Sequence, residues 1–144
     1  AISALLGRLE TLRVQANRAM FLGLYEMEAH FAVYGQSAGY SRHLDQARGT
    51  ERRQLTFSLY LNDKDWLASD GGSLRIYISP TRHEEAGAAD VRGGDGVQGE
   101  EGSVDVIPRG GSCVVFLSAE FEHEVLACQA QERLSFTGWF LRRD

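Results

Sequence analysis

The sequence predicts a mainly β domain with one flanking helix, closed as a double-stranded antiparallel barrel of jelly-roll or cupin-like type. Three observations lead there. The first twenty positions carry an apolar repeat of helical period. Beyond them come runs in which apolar and polar residues strictly alternate, the period of a strand with one face buried. These runs are short and are separated by glycine-bearing turns, the pattern of many brief antiparallel strands.

Size and charge bound the function. With 144 residues and 43% hydrophobic content the chain can bury one core, so residues 1–144 are expected to form one domain. A net charge of -5 argues against nucleic acid as the main partner, because phosphate binding needs a concentrated basic surface. No apolar run has the length of a membrane span and no signal peptide is visible, so no membrane partner is expected. The first residue is not Met, as in a processed or trimmed piece. Cys113 and Cys128 form no Cys-x-x-Cys motif and are expected as reduced thiols rather than a disulfide, which suits a cytoplasmic setting.

In chain order, Ile2 to Met20 places Leu5, Leu6, Leu9, Leu12 and Ala16 at spacings of three and four, giving a helix that covers a sheet and carries no chemistry. Phe21 to Tyr34 reads as a strand, or two pieces around Gly23. Glu26, Glu28, His30, Ala32 and Tyr34 share one face of it, with Met27, Ala29, Phe31 and Val33 on the other. His30 belongs to that polar face. Gly35 to Gly39 forms a turn that sets Tyr34 and Tyr40 on either side of the approach to His43. Gln46 to Arg53 is a polar surface loop. Leu55, Phe57, Leu59 and Leu61 then alternate with Thr56, Ser58, Tyr60 and Asn62, so the first set packs on apolar structure and the second meets solvent or lines a cavity.

Turns at Asn62 to Trp66 and Asp70-Gly71-Gly72 precede a strand at Ser73 to Ile78. Glu84 to Asp105 holds seven acidic residues, one basic residue and six glycines. Such a stretch buries too little apolar surface to offset the entropy of ordering, so residues 84–105 are expected as a flexible acidic, glycine-rich loop or hairpin tip. An acidic arm for a basic partner is the alternative, and the acids lack the spacing of a calcium loop. After Pro108-Arg109-Gly110-Gly111, the apolar run Cys113 to Leu117 forms a central strand that delivers the chain to His123. The last strand, Arg133 to Leu141, alternates Arg133, Ser135, Thr137 and Trp139 against Leu134, Phe136, Gly138 and Phe140.

Two clusters carry chemistry. In an extended strand His43 and Asp45 project to one side and offer two ligands to one metal ion, with His123 a distal third. Two histidines and a carboxylate leave three positions of an octahedral ion open, as in non-haem Fe(II) oxygenases. His-x-Asp alone also describes a solvated surface pair. Arg133, on the polar face of a strand, needs an anion if buried. A dicarboxylate co-substrate fits the guanidinium fork, and so does an internal acidic side chain.

The order His43-x-Asp45, distal His123 and Arg133 ten positions later resembles the Fe(II)/2-oxoglutarate oxygenases, and the surroundings narrow the likeness to prolyl 4-hydroxylases of the hypoxia-inducible-factor type and their bacterial relatives. It runs from about Phe31 to Phe140 and includes Gly-Gly-Ser-Leu-Arg-Ile-Tyr, close to that family's Gly-Gly-x-Leu-Arg-Ile-Phe. The family is shorter across 84–105, and its hypoxia-type members space the distal histidine and arginine by nine, so the turn before Arg133 absorbs one residue.

The resemblance implies a jelly-roll barrel with His43, Asp45 and His123 on Fe(II). It implies 2-oxoglutarate held at its far carboxylate by Arg133, Tyr34 and Tyr60, against the apolar wall of Leu74 and beside Thr137. Tyr40, Arg42 and Trp139 would face the substrate opening. The implied activity is O2-dependent hydroxylation at carbon 4 of a prolyl residue in a protein, with succinate and CO2 as co-products and ascorbate as accessory reductant. The protein target would be a translation factor such as elongation factor Tu, a ribosomal protein or a transcription factor. Most of the family's substrate-gripping loop precedes the matching region. Two rival readings stand beside this one: a 2-oxoglutarate oxygenase acting on a free amino acid, small metabolite or alkylated base, and a non-enzymatic barrel that binds a ligand or partner.

Overall fold

The structure, a computed structural model, describes residues 1–78, 96–98 and 102–144. Helix α1 spans Ile2–Met20, the range its periodicity predicts. It stops at Phe21, whose left-handed backbone (φ 54°) lets its N–H donate to the Asn17 carbonyl at 3.0 Å. Asn17 in turn clasps the backbone of Leu24, accepting from its N–H at 2.7 Å and donating to its carbonyl at 2.8 Å. The expected strand therefore begins at Leu24 rather than Phe21, because residues 21–23 are consumed by the helix stop.

Strand β1 (Leu24–Gly35) is followed by β2 (Tyr40–His43), β3 (Arg53–Tyr60), β4 (Leu74–Tyr77), β5 (Gly96–Gln98), β6 (Ser103–Val106), β7 (Cys113–Leu117), β8 (His123–Val125) and β9 (Glu132–Arg142). They form a four-stranded sheet of order β1-β9-β3-β7 and a five-stranded sheet of order β2-β8-β4-β6-β5, all neighbours antiparallel. Apart from the β4 to β6 passage, successive strands change sheet, as the winding of a jelly roll requires. Of the stretch 84–105, residues 84–95 and 99–101 lie outside the described residues, while β5 and β6 pair within it.

The alternation read in the sequence decides which face of the larger sheet does what. Leu55 and Phe57 of β3 and Phe136 and Phe140 of β9 project outward and pack under Leu9 and Ala16 of α1 in the main core. Thr56, Ser58, Tyr60, Arg133 and Ser135 occupy the opposite face and are buried as well. Burial of polar side chains on that scale is sustained only where they meet one another or a ligand. Gly138 marks a close crossing of β9 and β1, since a Cβ there would lie 2.0 Å from the Glu28 carbonyl oxygen. No helix among the described residues is long and apolar enough to cross a membrane.

Candidate active site

His43 ends β2 and His123 opens β8, and the two are direct cross-strand partners. The strand stops at His43 and the chain bends through Asp45, so the pair does not lie in one extended run as the sequence suggested. Asp45 reaches the histidines because the larger sheet holds it: Thr56 donates its hydroxyl to Asp45 Oδ2 at 2.8 Å, and Thr56 is joined at 2.8 Å to the Ser118 hydroxyl. One ligand atom from each of His43, Asp45 and His123 lies within 4.8 Å of the others. His43 Nε2 is 3.3 Å from Asp45 Oδ1, and His123 Nε2 is 3.4 Å from Oδ2. Metal–ligand bonds of about 2.1 Å place neighbouring octahedral ligands about 3 Å apart, so the set fits a small divalent ion.

Each imidazole is oriented for that role. His43 Nδ1 meets the Ser41 carbonyl at 2.7 Å and His123 Nδ1 the Phe121 carbonyl at 3.1 Å, which assigns the proton to Nδ1 and leaves Nε2 as the donor atom. The hydrogen bond with Asp45 holds His43 above the ordinary histidine value, whereas burial pushes His123 below it. Burial by itself would raise Asp45, but His43, His123, the Trp139 indole and Thr56 outweigh it and bring the carboxyl down to about 2. The Trp139 Nε1 contributes through its polarity, for it is buried and makes no hydrogen bond of normal geometry among the described residues. Asp45 is thus an anion throughout the neutral range, as a metal ligand must be.

The second cluster surrounds Arg133, 2% exposed. Its Nε donates to the Gly72 carbonyl at 2.6 Å and its Nη1 to Ser135 Oγ at 3.5 Å, and its Cζ lies 5.1 Å and 5.2 Å from the ring centres of Tyr34 and Tyr60. Gly72 adopts φ +68°, and a Cβ there would sit 2.8 Å from Arg133 Cδ, so only glycine admits the guanidinium stem. Among the described residues no carboxylate comes within ion-pair distance of Arg133. Burial lowers its basicity, yet a guanidinium keeps its charge. The Tyr60 hydroxyl beside it is likewise buried without a partner among the described residues, and burial pushes it up to about 12. Tyr34 is raised first by burial, which the neighbouring Arg133 guanidinium opposes. A buried cation with no carboxylate beside it and a buried hydroxyl with no partner, among the described residues, fit the far carboxylate of a diacid.

The remaining predicted residues fall in several places. Leu74, 4% exposed, sits in β4 opposite Val106 and Val125. The Thr137 hydroxyl donates to the Phe57 carbonyl at 2.9 Å. Tyr40 is exposed and sets its ring edge against His43 at 4.6 Å, and Trp139 is covered by Arg53, whose Cζ lies 3.7 Å above the indole. Arg42 is engaged by Glu122 and by the Tyr77 ring. His30 stacks at 5.7 Å on Trp139 and is no part of the metal cluster. Cavities of about 240 Å³ between α1 and β1 and about 220 Å³ beside Ser73 and Gln129 are lined by no residue of that cluster.

A family model described as the 2OG-Fe(II) oxygenase superfamily matches residues 29–141. The chain belongs to that superfamily. Membership implies Fe(II), 2-oxoglutarate and O2, and the two clusters supply the donor set and the cationic pocket that these need. Among solved structures, this 2OG-Fe(II) oxygenase chain is similar to a Pseudomonas putida prolyl-4-hydroxylase, with 41% identity, TM-score 0.74, and 94% of this chain and 62% of that one covered. It shares the fold of a Trichoplax adhaerens prolyl hydroxylase in complex with a hypoxia inducible factor peptide fragment (24% identity, TM-score 0.74, 97% and 56% covered). It also shares that of a Phytophthora capsici prolyl 4-hydroxylase (22% identity, TM-score 0.69, 98% and 42% covered). The chain therefore spans less than two thirds of each of these proteins.

Sequence reading of this oxygenase domain missed Thr56, Ser118, Gly72 and Arg53. Thr56 was discoverable, since it shares the polar face of β3 with Tyr60. Gly72 stands out locally as a turn residue and as part of the Gly-Gly-Ser-Leu-Arg-Ile-Tyr motif, but its contact with Arg133, 61 residues away, does not. Nothing local distinguishes Ser118 or Arg53, whose roles come from a contact 62 residues apart in the first case and from the β3–β9 pairing in the second.

Proposed function

We propose that this domain is a 2-oxoglutarate-dependent dioxygenase that hydroxylates carbon 4 of a prolyl residue in a protein. The observation that carries the reading is Arg133: a buried guanidinium without an acidic partner among the described residues, beside Tyr34 and Tyr60, in a chain whose His43, Asp45 and His123 converge. The similarity to the Pseudomonas putida prolyl-4-hydroxylase supports prolyl hydroxylation in particular. Residues 1–144 act as one domain in this account, and the two unpaired cysteines are in keeping with a reducing, cytoplasmic compartment.

The roles follow from the geometry. His43 and His123 present Nε2, and Asp45 presents a carboxylate that Thr56 and Ser118 hold in place. These residues would hold Fe(II), which when bound would supply O2 activation coupled to decarboxylation of 2-oxoglutarate to succinate and CO2. Arg133 and Tyr60 receive the far carboxylate of the co-substrate, Tyr34 adds its hydroxyl, and Leu74 walls the carbon chain. Thr137 keeps β9 in register with β3, which holds Arg133 and Trp139 on the same face. Tyr40, whose ring lies against His43, and Trp139, on the Arg133 face of β9, are assigned to receiving the substrate and excluding water from the target C–H.

The test is incubation of the protein with host-cell extract, Fe(II), 2-oxoglutarate and ascorbate, followed by mass spectrometry. The expected product is a prolyl peptide heavier by one oxygen atom. Oxygen gained instead by a free amino acid, a metabolite or an alkylated base would reassign the substrate, and no succinate formation at all would make the domain a binding module.

A further inference from the structure

Arg42 immediately precedes a metal ligand yet points away from the metal. It shares the reverse face of the smaller sheet with Glu122, which immediately precedes the other histidine ligand, and with Tyr77 of β4. Arg42 Nε donates to Glu122 Oε2 at 2.9 Å, its Nη2 bonds to the same oxygen, and its Cζ lies 3.6 Å above the Tyr77 ring. The Tyr77 hydroxyl continues the chain to Glu124, and Arg75 grips Asp105 of β6 with two bonds of 2.8 and 2.9 Å. A belt of side chains thus crosses β2, β8, β4 and β6 directly behind the ligands.

The belt matters most at its end. β2 is an edge strand of four residues whose pairing with β8 is irregular between Tyr40 and His43, and its ligand is the exposed one: the His43 side chain is 31% exposed, against 7% for His123 and 6% for Asp45. Adjacent residues of a strand project from opposite faces of one rigid peptide backbone. A strand that rolls about its axis therefore swings both residues together, and pinning Arg42 to Glu122 pins His43 relative to His123.

We propose that Arg42 is a positioning residue: its fork onto Glu122 and its stack on Tyr77 latch, from behind, the two strands that carry His43 and His123. The proposal rests on the metal-site reading of those histidines. Because the Arg42 and Glu122 side chains are 49% and 46% exposed, the latch adds little to global stability and acts on local geometry.

The test is titration of the full chain with Mn(II), a redox-stable stand-in for Fe(II), in the absence of any prolyl substrate. Arg42→Ala and Glu122→Gln should each weaken Mn(II) binding about tenfold, the low end of what losing a ligand's outer support costs, with the metal-free melting temperature near that of the parent. The exchanged pair Arg42→Glu with Glu122→Arg should recover part of the loss. Mn(II) affinity within twofold of the parent in both single variants would overturn the latch. A parent that binds no Mn(II) would overturn the metal-site reading itself, a result distinct from failure of the latch.

Discussion

The four-stranded sheet runs β1 and β9 over twelve and eleven residues beneath helix α1, whereas the two histidines ride on strands of four and three residues in the other sheet. Arg133, Tyr60 and Thr56 inherit rigidity from the first arrangement, since Phe57, Phe136 and Phe140 on the reverse face of the same strands form the main core. His43 and His123 instead have behind them, among the described residues, Arg42 and Glu122, which are half-exposed, and the Tyr77 ring. Asp45 joins the two halves, because its carboxylate faces both imidazoles while Thr56 of the larger sheet holds it. The cluster around Arg133, the proposed diacid pocket, is thus backed by the core, and the proposed metal ligands hang from its edge by directional contacts.

The sharpest way to break this contrast is to empty the core on one side only. Phe140→Ala, at 1% exposure, should cost about 3–5 kcal/mol in denaturant titration, whereas Ile76→Ala, partly exposed beside His123, should cost less. Equal losses would mean that the sheets are equally anchored.

Next comes Arg133→Met. Loss of the charged partner should weaken 2-oxoglutarate binding by about 2–5 kcal/mol while Mn(II) affinity stays near the parent's. The ligand-free protein should melt at the same temperature or higher, because an unpaired buried charge gives way to an apolar chain of similar length. A lower melting temperature would show that Arg133 has an internal acidic partner.

Smaller again is the effect of pH. His43 is held above 6.5 by Asp45 and must lose its proton to ligate, so Mn(II) affinity should decline as pH falls through a midpoint above 6.5, by about tenfold per unit beneath it. His123, lowered by burial, is already neutral there. A midpoint below 6.5 would remove Asp45 as the controlling partner of His43.

Smallest is Tyr60→Phe, which deletes a buried hydroxyl without a partner among the described residues. It should leave the ligand-free stability unchanged or slightly improved, and weaken 2-oxoglutarate binding by about 1.5–3 kcal/mol through loss of a hydrogen bond to a charged group.

The same contrast explains what could be read in advance. Period-2 alternation in β3 and β9 is strong because one face is packed under α1, so Tyr60, Arg133 and Thr137 were assigned to the polar face from pattern alone. The spacing of His43 and Asp45 was legible as a motif, but its strand geometry was not, since β2 ends at His43 and a hydroxyl on β3 completes the placement. The start of β1 was misplaced because Phe21 takes a left-handed turn that its bulk gives no reason to expect. The role of Arg42 was invisible, for Glu122 lies 80 residues away and no local rule pairs them.

The central claim is that His43, Asp45 and His123 hold one Fe(II) beside a guanidinium that receives a diacid. Anaerobic titration of Fe(II) and 2-oxoglutarate, followed by the weak visible charge-transfer band of the chelate, tests it most directly. The account predicts one chelate per chain, its band lost on Asp45→Ala and displaced to far higher 2-oxoglutarate concentration on Arg133→Met. No band in the parent, or a band that survives Asp45→Ala unchanged, would contradict it.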